Sequence, residues 1–214
     1  QKLNAGTRWD EEKGIIGIIG ILVHNKYLPG LIIDNQTQFG GLYNNVLNIY
    51  YPSRTLDFPI YPFLRSQYDS RIINYYNPYE IAPIDYNKSI INAGIGFGFL
   101  LKNYWTMEIE LNSELINLST NRDNNKFQID DEKINSINFN ATLDAIDNMI
   151  LPNNGIIINF DYKRSDKSIN SNKNYSWYKA ESDFYWTLSQ HTIRLYTYTH
   201  SGDSGIPLYL KTFS

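Results

Sequence analysis

Cysteine is absent from all 214 residues, which excludes disulfide staples, thiolate nucleophiles and cysteine-ligated zinc. Long hydrophobic runs are absent too: the longest, residues 15–23, is broken by glycines and falls short of the ~18 apolar residues that a transmembrane helix needs. A helical membrane protein is thereby excluded. No charge of one sign dominates, because 19 basic and 22 acidic residues are spread along the chain, so nucleic acid is set aside as a partner. Helical periodicity is scarce, since apolar residues seldom recur at i, i+3 and i+4. The first residues, Gln1-Lys2-Leu3, lead straight into polar alternation; the expectation is that a signal was removed or that this is an internal piece of a longer protein. The three histidines lack metal-ligand spacing, so no metal and no cofactor is expected.

What the chain has instead is alternation. Tyr178, Ala180, Ser182, Phe184, Trp186 and Leu188 share one parity, against Lys179, Glu181, Asp183, Tyr185 and Thr187, and a β-strand puts such sets on opposite faces. Ile156, Ile158, Phe160 and Tyr162 stand likewise against Asn159, Asp161 and Lys163, and Ile137, Phe139, Ala141 and Leu143 against Asn138, Asn140 and Asp144. A soluble sandwich satisfies this pattern with a shared core; a membrane barrel satisfies it with lipid outside and water within. The 18 tyrosines and 4 tryptophans suit sheets whose side chains sit at a water–apolar boundary.

The periodic segments predict an all-β chain of about eleven strands, at 2–10, 14–24, 31–40, 43–51, 62–76, 89–100, 105–117, 134–147, 155–164, 175–188 and 191–200. Tight connections at 25–30, 101–104, 152–155 and 189–190 alternate with long polar ones at 77–88, 119–133 and 165–174. That asymmetry is the one outer-membrane barrels show between periplasmic turns and external loops. Residues 15–23 are apolar on both parities and could be buried on both faces. Gly94, Gly96 and Gly98 leave one inward face bare, open to sharp curvature or the close approach of another segment. Glu108, Glu110 and Glu114, alternating with Met107, Ile109, Leu111 and Leu115, are expected to face a lumen together with Lys179, Glu181, Asp183 and Arg194. Tyr178, Phe184, Trp186 and Leu188 are expected to face lipid, which makes a charge at Ala180 costly.

Two constellations suggest chemistry. Gly202-Asp203-Ser204-Gly205 resembles the nucleophile loop of chymotrypsin-like proteases, but only ten residues follow Ser204 and no histidine has the right place; a Gly/Asp/Ser turn is the plainer reading. Two glutamates on one strand face lie ~7 Å apart, a workable glycosidase separation, against which stands a hydrated, ion-paired lumen. Trp9, Trp105, Trp177 and Trp186 could bind carbohydrate, or sit in a bilayer interface belt.

Asp147-Asn148-Met149-Ile150-Leu151-Pro152-Asn153-Asn154-Gly155, followed by an alternating strand, resembles the barrel-assembly and bacterial surface-antigen superfamily, in which an Asp precedes a Pro-x-x-Gly-type periplasmic turn. Asp147, Pro152 and Gly155 stand in those places. Residues 25–30 resemble the family's early turn, and Gly202 to Ser214 the approach to its long lumen loop. The opening Asn4-Ala5-Gly6-Thr7-Arg8-Trp9-Asp10 is most similar to the barrels of patatin-like phospholipase autotransporters. The resemblance implies an antiparallel up-and-down transmembrane β-barrel of sixteen strands, of which residues 1–214 form one domain, an incomplete part of about eleven. It implies a bacterial outer-membrane location, lipid and the barrel-assembly machinery as partners, and an attached N-terminal lipase to anchor and translocate. The loop's Arg-Gly-aromatic signature, the closing strands and the lipase's Gly-x-Ser-x-Gly do not occur here, so no enzyme is expected in this chain. The rival readings are a soluble β-rich hydrolase using Ser204 or Glu108 and Glu110, and a small complete porin or carbohydrate-binding barrel.

Overall fold

In the computed structural model the described residues are 2–10, 14–24, 30–40, 42–51, 59–75, 84–102, 104–122, 125–148 and 150–203. They form one antiparallel sheet in which every strand pairs with its sequence neighbours: β1 (Lys2–Asp10), β2 (Gly14–His24), β3 (Ile32–Phe39), β4 (Leu42–Tyr50), β5 (Ile60–Tyr75), β6 (Ile84–Leu101), β7 (Trp105–Arg122), β8 (Asn125–Asp144), β9 (Gly155–Ser165), β10 (Tyr175–Leu188) and β11 (His191–Gly202). The meander is open among the described residues, with β1 and β11 at its edges, so the reading of a small complete barrel in this chain is corrected. Apart from the strands there is one short 3-10 turn, Lys167–Ile169, among the described residues.

Parts of two expected loops are strands instead, residues 77–83 of the first lying outside the described residues. Residues 84–88 belong to β6, and most of 119–133 is a hairpin formed by the ends of β7 and β8, with one irregularity of register between Ile116 and Leu118. There the sequence loses strict alternation, with polar residues in both parities, and polar strands then read as loop. The asymmetry between the rims is carried by strand length. β7 and β8 run 18 and 20 residues, well beyond the ~9–11 that a bilayer requires.

Register fixes the two faces across all eleven strands. One contiguous row, Asp34, Asn48, Arg65, Gly94, Asn112, Ser136, Ser165 and Tyr175, is paired strand to strand and defines a polar face. Every buried polar strand residue lies on it, including Asp69, Lys88, Glu110, Glu114 and Lys163. The opposite face is apolar and open: Ile95, Phe97, Ile109 and Leu111 are 56–64% exposed. Burial is therefore inverted relative to a protein folded in water, where apolar patches of that extent are rare. Residues 15–23 follow the same rule, since Ile16 is fully buried on the polar face while Ile15, Ile19 and Ile21 are exposed on the other. A small apolar cluster of Ile116, Ile134 and Tyr175, flanked by Ile90, Leu118 and Trp177, fills the polar face near the long-strand rim. Trp177 thus stands apart from the outer aromatic belt expected of it, whereas Trp9, Trp105 and Trp186 lie on the apolar face.

Candidate functional site

The centre of the polar face is a network that crosses β6 without using a β6 side chain. Arg65 on β5 directs Nη2 to Glu108 Oε2 and Nη1 to Glu110 Oε2, both at 3.2 Å, while its Nε donates to Asn48 Oδ1 on β4 at 3.2 Å. Tyr61 donates its hydroxyl to Glu108 Oε1 at 2.9 Å, and the Arg65 guanidinium stands 5.1 Å from the Phe63 ring centre. Both glutamates are on β7, so β5 and β7 meet over the strand between them.

Gly94, Gly96 and Gly98 make that possible. A Cβ at Gly94 would strike the Glu110 carboxylate, one at Gly96 the Phe63 ring and the Ile109 carbonyl, and one at Gly98 the Tyr61 ring. The bare face expected of these glycines is a slot, and the approach of another segment is what fills it.

Farther along the polar face Lys163 on β9 pairs with Glu114 on β7, which also accepts from Asn112 Nδ2 at 3.1 Å. Lys179 pairs with Glu181 at 2.7 Å, and Arg194 with Asp183 at 2.6 Å. Asn140 donates to Asp161 at 2.6 Å. All seven residues expected to face a lumen share the polar face. They are divided among separate ion pairs, and only Glu108 and Glu110 converge on one partner. Tyr178, Phe184, Trp186 and Leu188 share the apolar face and are exposed.

Sequence reasoning missed Arg65, Tyr61, Asp69 and Lys88, and placed Lys163 on a polar face without its partner. On β5 the polar parity mixes Tyr61 and Phe63 with Arg65 and Asp69, while the apolar parity holds Ser66 and Ser70, so neither face declares itself. The signal lay in the neighbour: three glycines in one parity need side chains from both flanking strands. Ser204, residues 25–29 and 204–214 lie outside the described residues. Among the described residues no group of three or more His, Asp or Glu is placed to hold a metal ion.

The turn at 145–154 is held from within. Asp147 Oδ1 accepts from Asn153 N–H at 2.9 Å, and Asn148 Oδ1 accepts from Ile150 and Leu151 N–H at 2.9 and 3.2 Å. The backbone N–H groups of Asn153 and Asn154 hold the Asp147 carboxyl below its ordinary range. Gly155, at φ +127°, packs against the Ala145 carbonyl where any side chain would collide. Thr187 Oγ1 donates to the Asn153 carbonyl at 2.7 Å, so the turn is also tied to β10.

A single antiparallel meander, polar and ion-paired on one face and predominantly apolar on the other, defines an outer-membrane β-barrel wall. Comparison with known proteins agrees. Residues 36–210 match the Omp85 superfamily domain, and the chain belongs to that superfamily, whose place is the bacterial outer membrane. Its fold is similar to that in the crystal structure of BamA from Haemophilus ducreyi lacking POTRA domains 1–3, with a TM-score of 0.69 at 12% identity over 95% of this chain. The chain spans 46% of that structure's length. No curated protein shows a significant match.

Two outcomes test the site. Arg65→Met should cost about 2 kcal/mol in equilibrium unfolding from detergent or vesicles, less than the ~3–5 of a fully buried pair because the guanidinium is partly solvated; adding Glu110→Gln should recover much of it. Asp147→Ala should lower the unfolding midpoint at pH 7. A carboxyl depressed below its usual 3.8 contributes above that value and loses its contribution as the pH falls through the lower folded-state value. The gap between the parent and Asp147→Ala should therefore close under strong acid, and one that stays constant with pH would remove the turn carboxylate from the account.

Proposed function

We propose that this chain is part of the wall of a sixteen-stranded outer-membrane barrel that anchors an attached domain and helps carry it to the cell surface. The observation that carries the reading is the inverted burial: charged groups are packed away on one face while Ile95, Phe97, Ile109 and Leu111 stand open on the other. Lipid is the solvent in which that arrangement is favourable. Tyr178, Phe184, Trp186 and Leu188 then face acyl chains, and Glu108, Glu110, Glu114, Lys179, Glu181, Asp183 and Arg194 face a wet lumen.

The turn built on Asp147, Pro152 and Gly155 marks the periplasmic rim, with Trp105 and Trp186 near it on the lipid face. The hairpin of β7 and β8 projects outside. Insertion by the barrel-assembly machinery follows from a fold whose backbone groups are satisfied only by neighbouring strands. The chain performs no chemistry of its own in this reading, because Arg65 occupies both carboxylates of the best acid/base pair.

An attached patatin-like lipase is a finer proposal, supported by the residues of β1 alone. Its test is surface display: with the barrel intact, a domain fused ahead of β1 should become accessible to protease added to whole cells, and display that persists without the barrel would refute it. For the wall itself, Ala180→Arg should cost roughly 2–4 kcal/mol of folding stability in lipid vesicles, whereas Ala180→Leu should be neutral or stabilising. Equal effects of the two, or a chain that is a stable monomer in buffer without detergent, would overturn the membrane reading.

A further inference from the structure

Residues 166–174, between β9 and β10, fold back over the edge of β8, with Ser171 and Lys173 bonded to Ser165 on the polar face and Ile169 and Asn170 brought to Asn135 on the apolar face. Asn172 N–H donates to the Lys133 carbonyl at 2.9 Å, and Asn135 Nδ2 donates to the carbonyls of Ile169 and Asn170 at 2.8 and 3.0 Å. These bonds extend the edge of β8 beyond the end of β9. Asp166 caps the turn by accepting from Ser168 N–H at 2.8 Å. Ile169 is thereby fixed beside an open groove whose other walls are Leu64, Ile95 and Leu111 and whose floor is Ala93 and Ser113. The short floor residues are paired in register, Ala93 with Ser113 and Ser113 with Asn135.

Three cations flank the residues that form this end of the groove: Lys133 two positions before Asn135, Arg164 paired with Ile137 two positions after it, and Lys167 two positions before Ile169. Lys133 stands on the apolar face opposite Leu115, and Arg164 on the same face opposite Ile137; Lys167 is in the turn itself. All three are exposed. The nearby carboxylates are engaged: Glu132 with Lys173 at 2.8 Å, Asp131 with Asn117 at 2.7 Å, and Asp166 with the turn amide and, at 3.5 Å, Arg164. The ammonium groups of Lys133 and Lys167 make no ion pair among the described residues.

We propose that the groove and these cations together bind one phosphate-bearing lipid of the external leaflet, an acyl chain lying over Ala93 and Ser113 and the phosphate held by Lys133, Arg164 and Lys167. The inference rests on the membrane reading, which makes the groove's surroundings hydrocarbon and leaves an acyl chain as its natural occupant. A basic cluster at the boundary between an apolar band and water supplies the complementary charge. The turn contributes a wall and a cation already in place, so little ordering is needed on binding.

The test is titration of the refolded full chain in detergent with bisphosphorylated lipid A, with dephosphorylated lipid A and with inorganic phosphate, counting bound lipid by native mass spectrometry. One bisphosphorylated lipid should bind at least about tenfold more tightly than the dephosphorylated form. The pair Lys133→Gln and Lys167→Gln should weaken it by roughly tenfold or more, and Ala93→Leu with Ser113→Leu should weaken both lipids by filling the floor. Folding of each variant is checked by heat-modifiable mobility on a gel; if the leucine pair does not fold, the glutamine pair decides. Unchanged affinity in the glutamine pair, equal binding of both lipids, or displacement of the lipid by millimolar inorganic phosphate would overturn the proposal. Failure of the membrane reading shows separately, as a chain that stays in buffer and does not enter vesicles.

Discussion

Everything in this structure depends on the two-residue period of an extended chain held in one antiparallel register. Once β5 places Arg65 on a face, pairing sends Gly94, Asn112 and Ser136 to the same face, and the assignment spreads from β1 to β11 without a crossover. A shift of one residue anywhere would exchange the apolar and polar sets for the whole strand. The cost of such an exchange is high on both sides at once, because it places charge on the apolar face and isoleucine in the ion-paired network. Specificity in a wall one strand thick therefore comes from parity rather than from a packed core, of which, among the described residues, only the cluster around Ile116, Ile134 and Tyr175 is present.

The polar face balances its own charges. Arg65 meets two carboxylates, Lys163 meets Glu114, and Arg194 meets Asp183. These pairs lie between strands one or two apart, so each ties neighbouring hairpins together as well as neutralising charge. Residues far apart along the chain, such as Tyr61 and Glu108, become neighbours only after β5, β6 and β7 have all paired. The network is thus a product of assembly.

The strand count, the meander and the two faces were legible in the sequence because alternation survives wherever one face meets lipid. It failed where polar residues stand in both parities. The ends of β7 and β8 beyond Ile116 carry Asn, Asp and Lys on both parities, and their strand character comes from pairing with each other. Glu108 and Glu110 were visible by their spacing, but the residue that unites them was not. Arg65 sits 43 residues ahead of Glu108, in a strand whose two parities are mixed, and only the register of three strands brings them together. The turn at Asp147 was readable from its own residues, since its hydrogen bonds are local. The lipid-face groove was not readable, because its walls come from β5, β6, β7 and the turn after β9.

The glycine slot on β6 has a mechanical consequence. Slipping β6 by two residues would preserve parity, and so would escape the penalty that guards against a one-residue error. It would, however, carry either Asn92 or Leu100 into a position now held by glycine, where Glu110, Phe63 or Tyr61 already occupies the space. The slot thus works as a keyway: the side chains of β5 and β7 close over β6 only when three consecutive gaps are aligned beneath them. In a wall built by adding hairpins one after another, such a keyway proofreads the even-numbered slips that hydrophobic patterning alone would let pass.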